Sequence, residues 1–446
     1  MATCQIKKKY SWVECNSKAL PQDREGLCLL HSCKDDKDED AFNTEIQEKM
    51  KRKDYDFQAV VFPGIVDFSH HQFTEKAEFE LATFTKQANF LTTTFLESVS
   101  FYAATFNQGS FFGGATFSER ADFGGTTFGQ QSIFAGAEFK KEANFTYATF
   151  NEEANFFAAK FSGQAWFIKL NPEKKGQPPP PDFRGIFKML RLDRVTDLIF
   201  QDTSLAKVEY AETDIRRLNF LNVEWHPYHS KAEEFLIKRL PIHWQKWLKG
   251  RQVVYDEIHL REKASKAWDL FLKYGFKVAH EKSVKISVED YARVEELYRG
   301  LKLNYGGAGD YKRVGDFHFG EMEMHRRASP WRWLPVYWYN LYKFLSGYGE
   351  LPLWAFTVLL AFLFGLAGLA WAFGLGFKHG LASLHGQVSY WDALVFILEK
   401  VTLQRPDWLV PQNLISRVLA GLSVLIIPGQ AALFILSLRN RLGRRR

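Results

Sequence analysis

The sequence predicts a mixed fold: a solenoid of stacked β coils, a helical segment behind it, and two membrane-spanning α-helices at the end. Three observations predict it. Phe recurs at a strict spacing over residues 57–167. A helical apolar stripe lies near residues 291–305. Two long runs without charge, 351–377 and 418–438, close the chain.

Residues 1–56 form a Cys-rich segment with a helix. All four cysteines of the 446-residue chain, Cys4, Cys15, Cys28 and Cys33, lie here, with His31 among them. Cys4, Cys15, Cys28, His31 and Cys33 are the metal candidates: Cys28-x-x-His31 has chelating spacing, and Cys4 and Cys15 would complete a tetrahedral Cys₃His zinc site. Reduced free thiols are the alternative; a disulfide framework would spread cysteines over the fold. The opening residues carry charge but no apolar core of a secretory signal. Asp36, Asp38 and Asp40 alternate like a calcium loop, but Ala41 and Gln47 stand where that loop needs Gly and Glu. An acidic helix N-terminus suits them better, and a helix over 40–53 is expected to cap the solenoid.

Over 57–170, Phe sits at 57, 62, 68, 73, 79, 84, 90, 95, 101, 106, 112, 117, 123, 128, 134, 139, 145, 150, 156, 161 and 167. The steps alternate five and six. A helix would turn roughly 140° over five residues and so leave its own face. A flat strand would change face at each odd step. Coils with sides of about five residues satisfy both steps, with Phe pointing inward from every side. Two residues before each Phe from Phe79 onward stands Ala, Thr, Val or Ser, small enough to point inward too.

Ala88-Asn89-Phe90, Ala121-Asp122-Phe123, Ala143-Asn144-Phe145 and Ala154-Asn155-Phe156 resemble the motif of the pentapeptide-repeat family. The resemblance implies a right-handed four-sided β-helix. The sixth residue in every second unit departs from the family pattern and implies looser corners. A Pro-rich linker, 171–182, follows. A second tract, 183–228, spaces Phe200, Leu205, Tyr210, Ile215, Phe220 and Trp225 by five. The linker permits this tract either to stack on the first or to pack separately.

Residues 229–330 read as helical. Ser287 and Asp290 have capping-box form. Tyr291, Val294, Leu297, Leu301 and Tyr305 form one stripe, and Gly306, Gly307 and Gly309 end it before a second helix over 310–327. A helical hairpin is expected. The segment looks like a tetratricopeptide-type pair, and also like the segment ahead of the membrane helices in bacterial pentapeptide-repeat membrane proteins. His318, Glu321 and His325 share a face there, which ordinary surface pairing explains.

Residues 331–446 make the membrane domain. Each charge-free run can cross about 30 Å of hydrocarbon. Trp331, Trp333, Trp338, Tyr339 and Tyr342 gather ahead of the first span as an interfacial belt. Arg326, Arg327, Arg332 and Lys343 precede it, and Arg439, Arg441, Arg444, Arg445 and Arg446 follow the second span. This asymmetry places both termini and the solenoid on the cytoplasmic side of the inner membrane. Between the spans, residues 391–402 read as a short re-entrant helix. The order of elements resembles a two-helix potassium-channel pore. Thr402-Leu403-Gln404-Arg405-Pro406-Asp407 then takes the filter position, but only Thr402 and Asp407 match the family filter. Gln404 and Pro406 replace its glycines, and Arg405 opposes cations. Gly347-Tyr348-Gly349 precedes the first span and marks the membrane boundary instead. Pro428-Gly429 is expected to hinge the second span.

No nucleophile–base pair or phosphate loop appears, so an enzyme is not expected. Eleven acidic and seven basic residues over 57–170 are too weak a balance to mimic nucleic acid, so no nucleic-acid role is expected. The leading expectation is a docking solenoid coupled to a gated pore or other membrane effector, assembled as a homo-oligomer, a tetramer by analogy. The partner in either case is a cytoplasmic protein or ligand. The alternative is a non-conducting membrane-anchored scaffold.

Overall fold

The computed structural model describes residues 3–33, 37–168, 184–188, 190–192, 198–229, 238–239, 250–265, 286–329, 334–377, 387–404 and 408–442. They belong to two compact units, 1–304 and 305–446.

The first unit is a β-solenoid of about six turns. Its strands, mostly two residues long, pair in parallel with the strand 22 residues on: Val61 with Thr83, Thr83 with Thr105, Thr105 with Thr127, Thr127 with Thr149. Successive strands fall in turn into four sheets of five, seven, six and seven strands. This register stacks like on like. Phe62, Phe84, Phe106, Phe128 and Phe150 form one file, with ring centroids 4.7, 4.5, 5.3 and 4.7 Å apart and nearly parallel faces. Rings from neighbouring files meet edge-on, as Phe90 meets Phe101 at 5.4 Å. Nearly every ladder Phe is fully buried, and each contributes roughly 2–3 kcal/mol of transfer free energy.

The motif residues explain themselves locally. Ala at −2, as at Ala77, Ala88 and Ala121, is buried under the rings. Where Thr replaces it, the hydroxyl finds a carbonyl, Thr93 at Phe68 and Thr126 at Phe101. The Asn or Asp at −1 faces outward and accepts the N–H two residues on, as Asp122 does from Gly124 and Asn144 from Thr146. That bond folds the corner. Asn144 also donates to Asp122 at 2.9 Å, tying coil to coil.

The corners are of two kinds. The five-residue step is the tight one. Its second residue is left-handed at Ala59, His70, Leu81, Thr92, Ala103, Gly114, Gly125, Gly136, Tyr147 and Ala158. The six-residue step turns without any positive φ, because its extra residue relieves the bend. Gly at three of the left-handed positions avoids the Cβ clash that the other side chains bear.

The second tract continues the same sheets: Glu153–Asn155 pairs with Arg184–Ile186, and Ala165–Ile168 with Leu198–Gln201. Phe187 stacks on Phe156 at 4.8 Å and Phe200 on Phe167 at 5.1 Å. The linker 171–182 lies outside the described residues. Both ends of the stack are closed. At the start the helix spans Glu39–Lys51, capped by Asp38. Its Phe42 meets Phe62 edge-on at 5.7 Å, and Val61 donates to the Leu30 carbonyl. At the far end, buried Asp256 accepts from the backbone of Tyr210 and Ala211. Buried Glu257 holds Arg251, Arg261 and the hydroxyl of Tyr298. Tyr298 lies on the Val288–Gly307 helix, which begins with the Ser287–Asp290 box.

In the second unit, helix Tyr311–Ala328 is followed by helix Leu334–Ser346 and the two apolar helices, Pro352–Ala372 and Leu414–Leu442. Both are long and apolar enough to cross a membrane. The first ends five residues earlier than the charge-free run, because Leu375–Phe377 pairs as a strand with Leu409–Pro411.

Replacing Phe123 by Ala is expected to cost about 3–5 kcal/mol, against about 0.5 kcal/mol or less for Thr127→Ala on the outer surface. Equal shifts in chemical denaturation of the two variants would reject the inward Phe file.

Candidate functional site

The first site is built by the N-terminal segment against the first coil. Cys28 and His31 sit in one tight turn, in which the amides of His31 and Ser32 both donate to the Cys28 carbonyl. That turn carries both side chains to the same side. Cys4 Sγ lies 3.5 Å from His31 Nδ1, and Cys28 Sγ 3.2 Å from it. Cys15 Sγ is 3.8 Å from Cys28 Sγ. All four donor atoms fall within 4.8 Å of one another. A tetrahedron with bonds near 2.3 Å to sulfur and 2.0–2.1 Å to nitrogen has S–S edges of about 3.8 Å and S–N edges of about 3.6 Å. The cluster therefore fits a four-coordinate metal ion, and its cysteines are free thiols. His31 Nε2 faces the Gln58 carbonyl at 3.1 Å. A carbonyl only accepts, so Nε2 carries the proton and Nδ1 turns its lone pair to the sulfurs. The Cys28 amide donates to Cys4 Sγ at 3.3 Å. The hydrogen bond between Cys15 and Cys28 draws the Cys15 thiol down, and the same bond, with burial, pushes Cys28 up. Cys33 is exposed and does not join the cluster.

The second site is the membrane unit. Helix Tyr390–Val401 opens with a reciprocal Ser389–Asp392 box. It buries Ala393, Phe396 and Ile397 against Leu366, Ala367 and Ala370 of the first span and Ala420 and Ile427 of the second. Thr402 ends this helix, its hydroxyl bonded to the Leu398 and Glu399 carbonyls. Leu403 is left-handed and exposed, and the Gln404 amide returns to the Glu399 carbonyl. Arg405, Pro406 and Asp407 lie outside the described residues. Glu399 receives the Trp408 indole N–H. The second span runs helical through Pro428 and Gly429. Four of its uncharged polar side chains recur every seven residues, at Ser416, Ser423, Gln430 and Ser437, and all four are buried. Gln430 Nε2 donates to the carbonyls of Leu345 and Ala355 at 2.7 and 2.9 Å.

A third arrangement is not legible in the sequence. Glu323 is buried and accepts from Arg326 Nη2 at 2.8 Å, Arg327 Nε at 3.0 Å, Lys343 Nζ at 2.8 Å and the Tyr348 hydroxyl at 3.3 Å. Burial alone would raise its carboxyl; Arg326 and Lys343 outweigh that and hold it well below the usual range. Tyr348 reaches it because Gly347, Tyr348 and Gly349 are all left-handed, with φ of 57°, 59° and 74°. The spacing from Glu323 to Arg326 and Arg327 was the available signal; Lys343 and Tyr348 gave none. His318 Nδ1 lies 3.7 Å from Glu321, while the His325 ring packs on Tyr339 at 5.2 Å, so the histidines of this helix do not converge. Asp38 caps its helix as the acidic N-terminus reading expected.

Glu323→Ala would leave three cations around a buried void and is expected to cost about 3–5 kcal/mol. Tyr348→Phe, which removes one hydrogen bond, is expected to cost about 0.5–1.5 kcal/mol. A carboxylate depressed in the fold gives stability that is fully present above its unfolded pKa of about 4.3 and is lost progressively as pH falls from there through the lower folded value. The Glu323 contribution should therefore be unchanged between pH 7 and 5. Thermal unfolding in detergent measures all three, and equal costs for the two variants would remove Glu323 from the centre of the cluster. Comparison of the chain with protein-family models, with curated proteins and with solved structures gives no match.

Proposed function

We propose that the chain is a membrane-anchored scaffold: the hairpin of two spans holds the solenoid at the cytoplasmic face of the inner membrane, where it docks a protein partner. One observation carries this reading. Ser416, Ser423, Gln430 and Ser437 of the second span are turned into the hairpin, whereas Leu353, Phe356, Phe364, Leu369, Leu414, Val418, Leu422, Leu425 and Ile435 face outward, and the exposed Arg417 lies only in the first turn of the second span. An apolar outer surface suits lipid on every side; a water-lined path would need polar groups there. The basic residues that flank the spans at one end, Arg326, Arg327, Lys343, Arg439 and Arg441, set the orientation.

A second reading, an oligomeric pore, draws support from the capped helix Tyr390–Val401 lodged between the spans. Reconstitution in planar bilayers under a salt gradient separates the two. The scaffold predicts no current from protein of verified oligomeric state. A reproducible current whose reversal potential moves with Arg405→Glu would replace it with the pore.

The same reading gives the Cys₃His cluster a structural zinc ion. Four protein ligands close the coordination sphere and leave no position for substrate. Zinc would pin the N-terminal segment to the first coil through Cys28, His31 and Gln58. Metal analysis of protein purified under reducing conditions is expected to give about one zinc per chain. Cys28→Ser should abolish it and Cys33→Ser leave it intact. Metal-free wild type with an unchanged N-terminal fold, judged by proteolysis, would return the cysteines to free thiols.

A further inference from the structure

The helix Leu334–Ser346 is amphipathic the wrong way round for water. At 100° per residue, Tyr337, Leu341 and Phe344 fall within about 60° of one another, with Trp338 at one edge. These are its outward residues, 67% exposed at Tyr337, 64% at Trp338, 44% at Leu341 and 57% at Phe344. The inward face carries Lys343 and Ser346, and Asn340 stays exposed at the other edge of the apolar face, where it accepts from Arg326. Lys343 bonds Glu323, Ser346 is fully buried and bonded to the Tyr342 carbonyl, Tyr339 packs on His325, and Tyr342 on Tyr348. Apolar side chains have been placed outside while the amine of half-exposed Lys343 is turned to a buried carboxylate. In water that arrangement loses the burial of three aromatic rings.

The depth of this face is fixed by the next element of the chain. The first span begins six residues after Ser346, at Pro352. Trp354, in the opening turn of the span, donates its indole N–H to the Phe344 carbonyl at 2.6 Å, and the two rings lie 6.3 Å apart. The aromatic face thus ends level with the first turn of a membrane-spanning helix. Tyr and Trp, apolar in body and polar at the tip, are the residues that favour that level.

We propose that the Leu334–Ser346 helix lies flat in the membrane interface, with Tyr337, Trp338, Leu341 and Phe344 set into the headgroup–acyl boundary of the leaflet where the first span begins. The inference rests on the membrane reading of the two spans. It adds a lipid-binding surface that does not itself cross the bilayer. Glu323 then joins this surface helix to helix Tyr311–Ala328, so that a displacement of either one loads the other through a buried ion cluster.

The test places a fluorescent amino acid by stop-codon suppression at Tyr337, at Ala361 in the middle of the first span, or at Tyr102 on the solenoid. Each full-length protein is reconstituted in vesicles carrying lipids brominated either near the headgroup or near the chain ends. The expected result is strong quenching at 337 by the shallow bromines and severalfold weaker quenching by the deep ones. Position 361 should show the reverse, and 102 neither. Quenching at 361 with none at 337 overturns the interfacial helix and leaves the spans standing. No quenching at either position overturns the membrane reading, and this proposal falls with it. A 337 probe shielded from bromines and from aqueous iodide alike would assign the face to another protein surface and also overturn the proposal.

Discussion

The solenoid depends on one coincidence of lengths. Hydrogen-bonded strands repeat at about 4.8 Å, and offset or parallel aromatic rings pack at centroid separations from about 4.5 Å. A Phe on each side of each coil can therefore sit on the Phe of the coil before it without bending the sheets. Leu would fill the same space but leave the rotamer less determined, whereas a planar ring has one way to stack. The files at Phe62–Phe150 and Phe68–Phe90–Phe112 keep ring spacings of 4.5–5.4 Å. In the second tract the stack loosens, to 5.8 Å at Phe187–Tyr210 and at Phe200–Phe220, and it ends on Trp225.

Both ends of such a stack expose unpaired strand edges, which invite other chains. This molecule closes them with charge as much as with apolar cover. Lys37 donates to the carbonyls of Leu30 and Val61 at the first coil. Asp256 takes two amides at the last, and burial lifts its carboxyl to about 6. Glu257, one residue on, stays below the usual range because Arg251 and Arg261 outweigh its burial. Adjacent acids thus shift in opposite directions: Asp256 is buried against backbone amides, whereas Glu257 is paired directly with two arginines.

How much could be read in the sequence depends on how local each cause is. The Phe steps state the coil directly, since every turn repeats them. The tetrad Cys4, Cys15, Cys28 and His31 was legible as a set of ligand types. Cys33 could be separated from it only by the turn at Cys28–Ser32, which leaves Cys33 exposed. The left-handed corners were visible at Gly114, Gly125 and Gly136 alone, because Leu81, Thr92 or Tyr147 gives no sign of a positive φ. Glu323 read as one charge among many on a helix face. Its partners Lys343 and Tyr348 are 20 and 25 residues away, and tertiary packing alone brings them to it. The joining of the two tracts was equally unreadable, because a Pro-rich stretch between repeats is compatible with one stack or two.

The 22-residue register also governs how such a chain can change length over evolutionary time. Duplicating 22 residues adds one floor and leaves every outward column in line. Duplicating 11, the smaller repeat visible in the sequence, preserves the alternation of five and six. It would nonetheless swing everything downstream around the axis by half a turn, so that surfaces in line before would point to opposite sides. Gain or loss of whole floors is therefore the least disruptive route to a longer or shorter molecule, and half-floors are a route to a differently facing one.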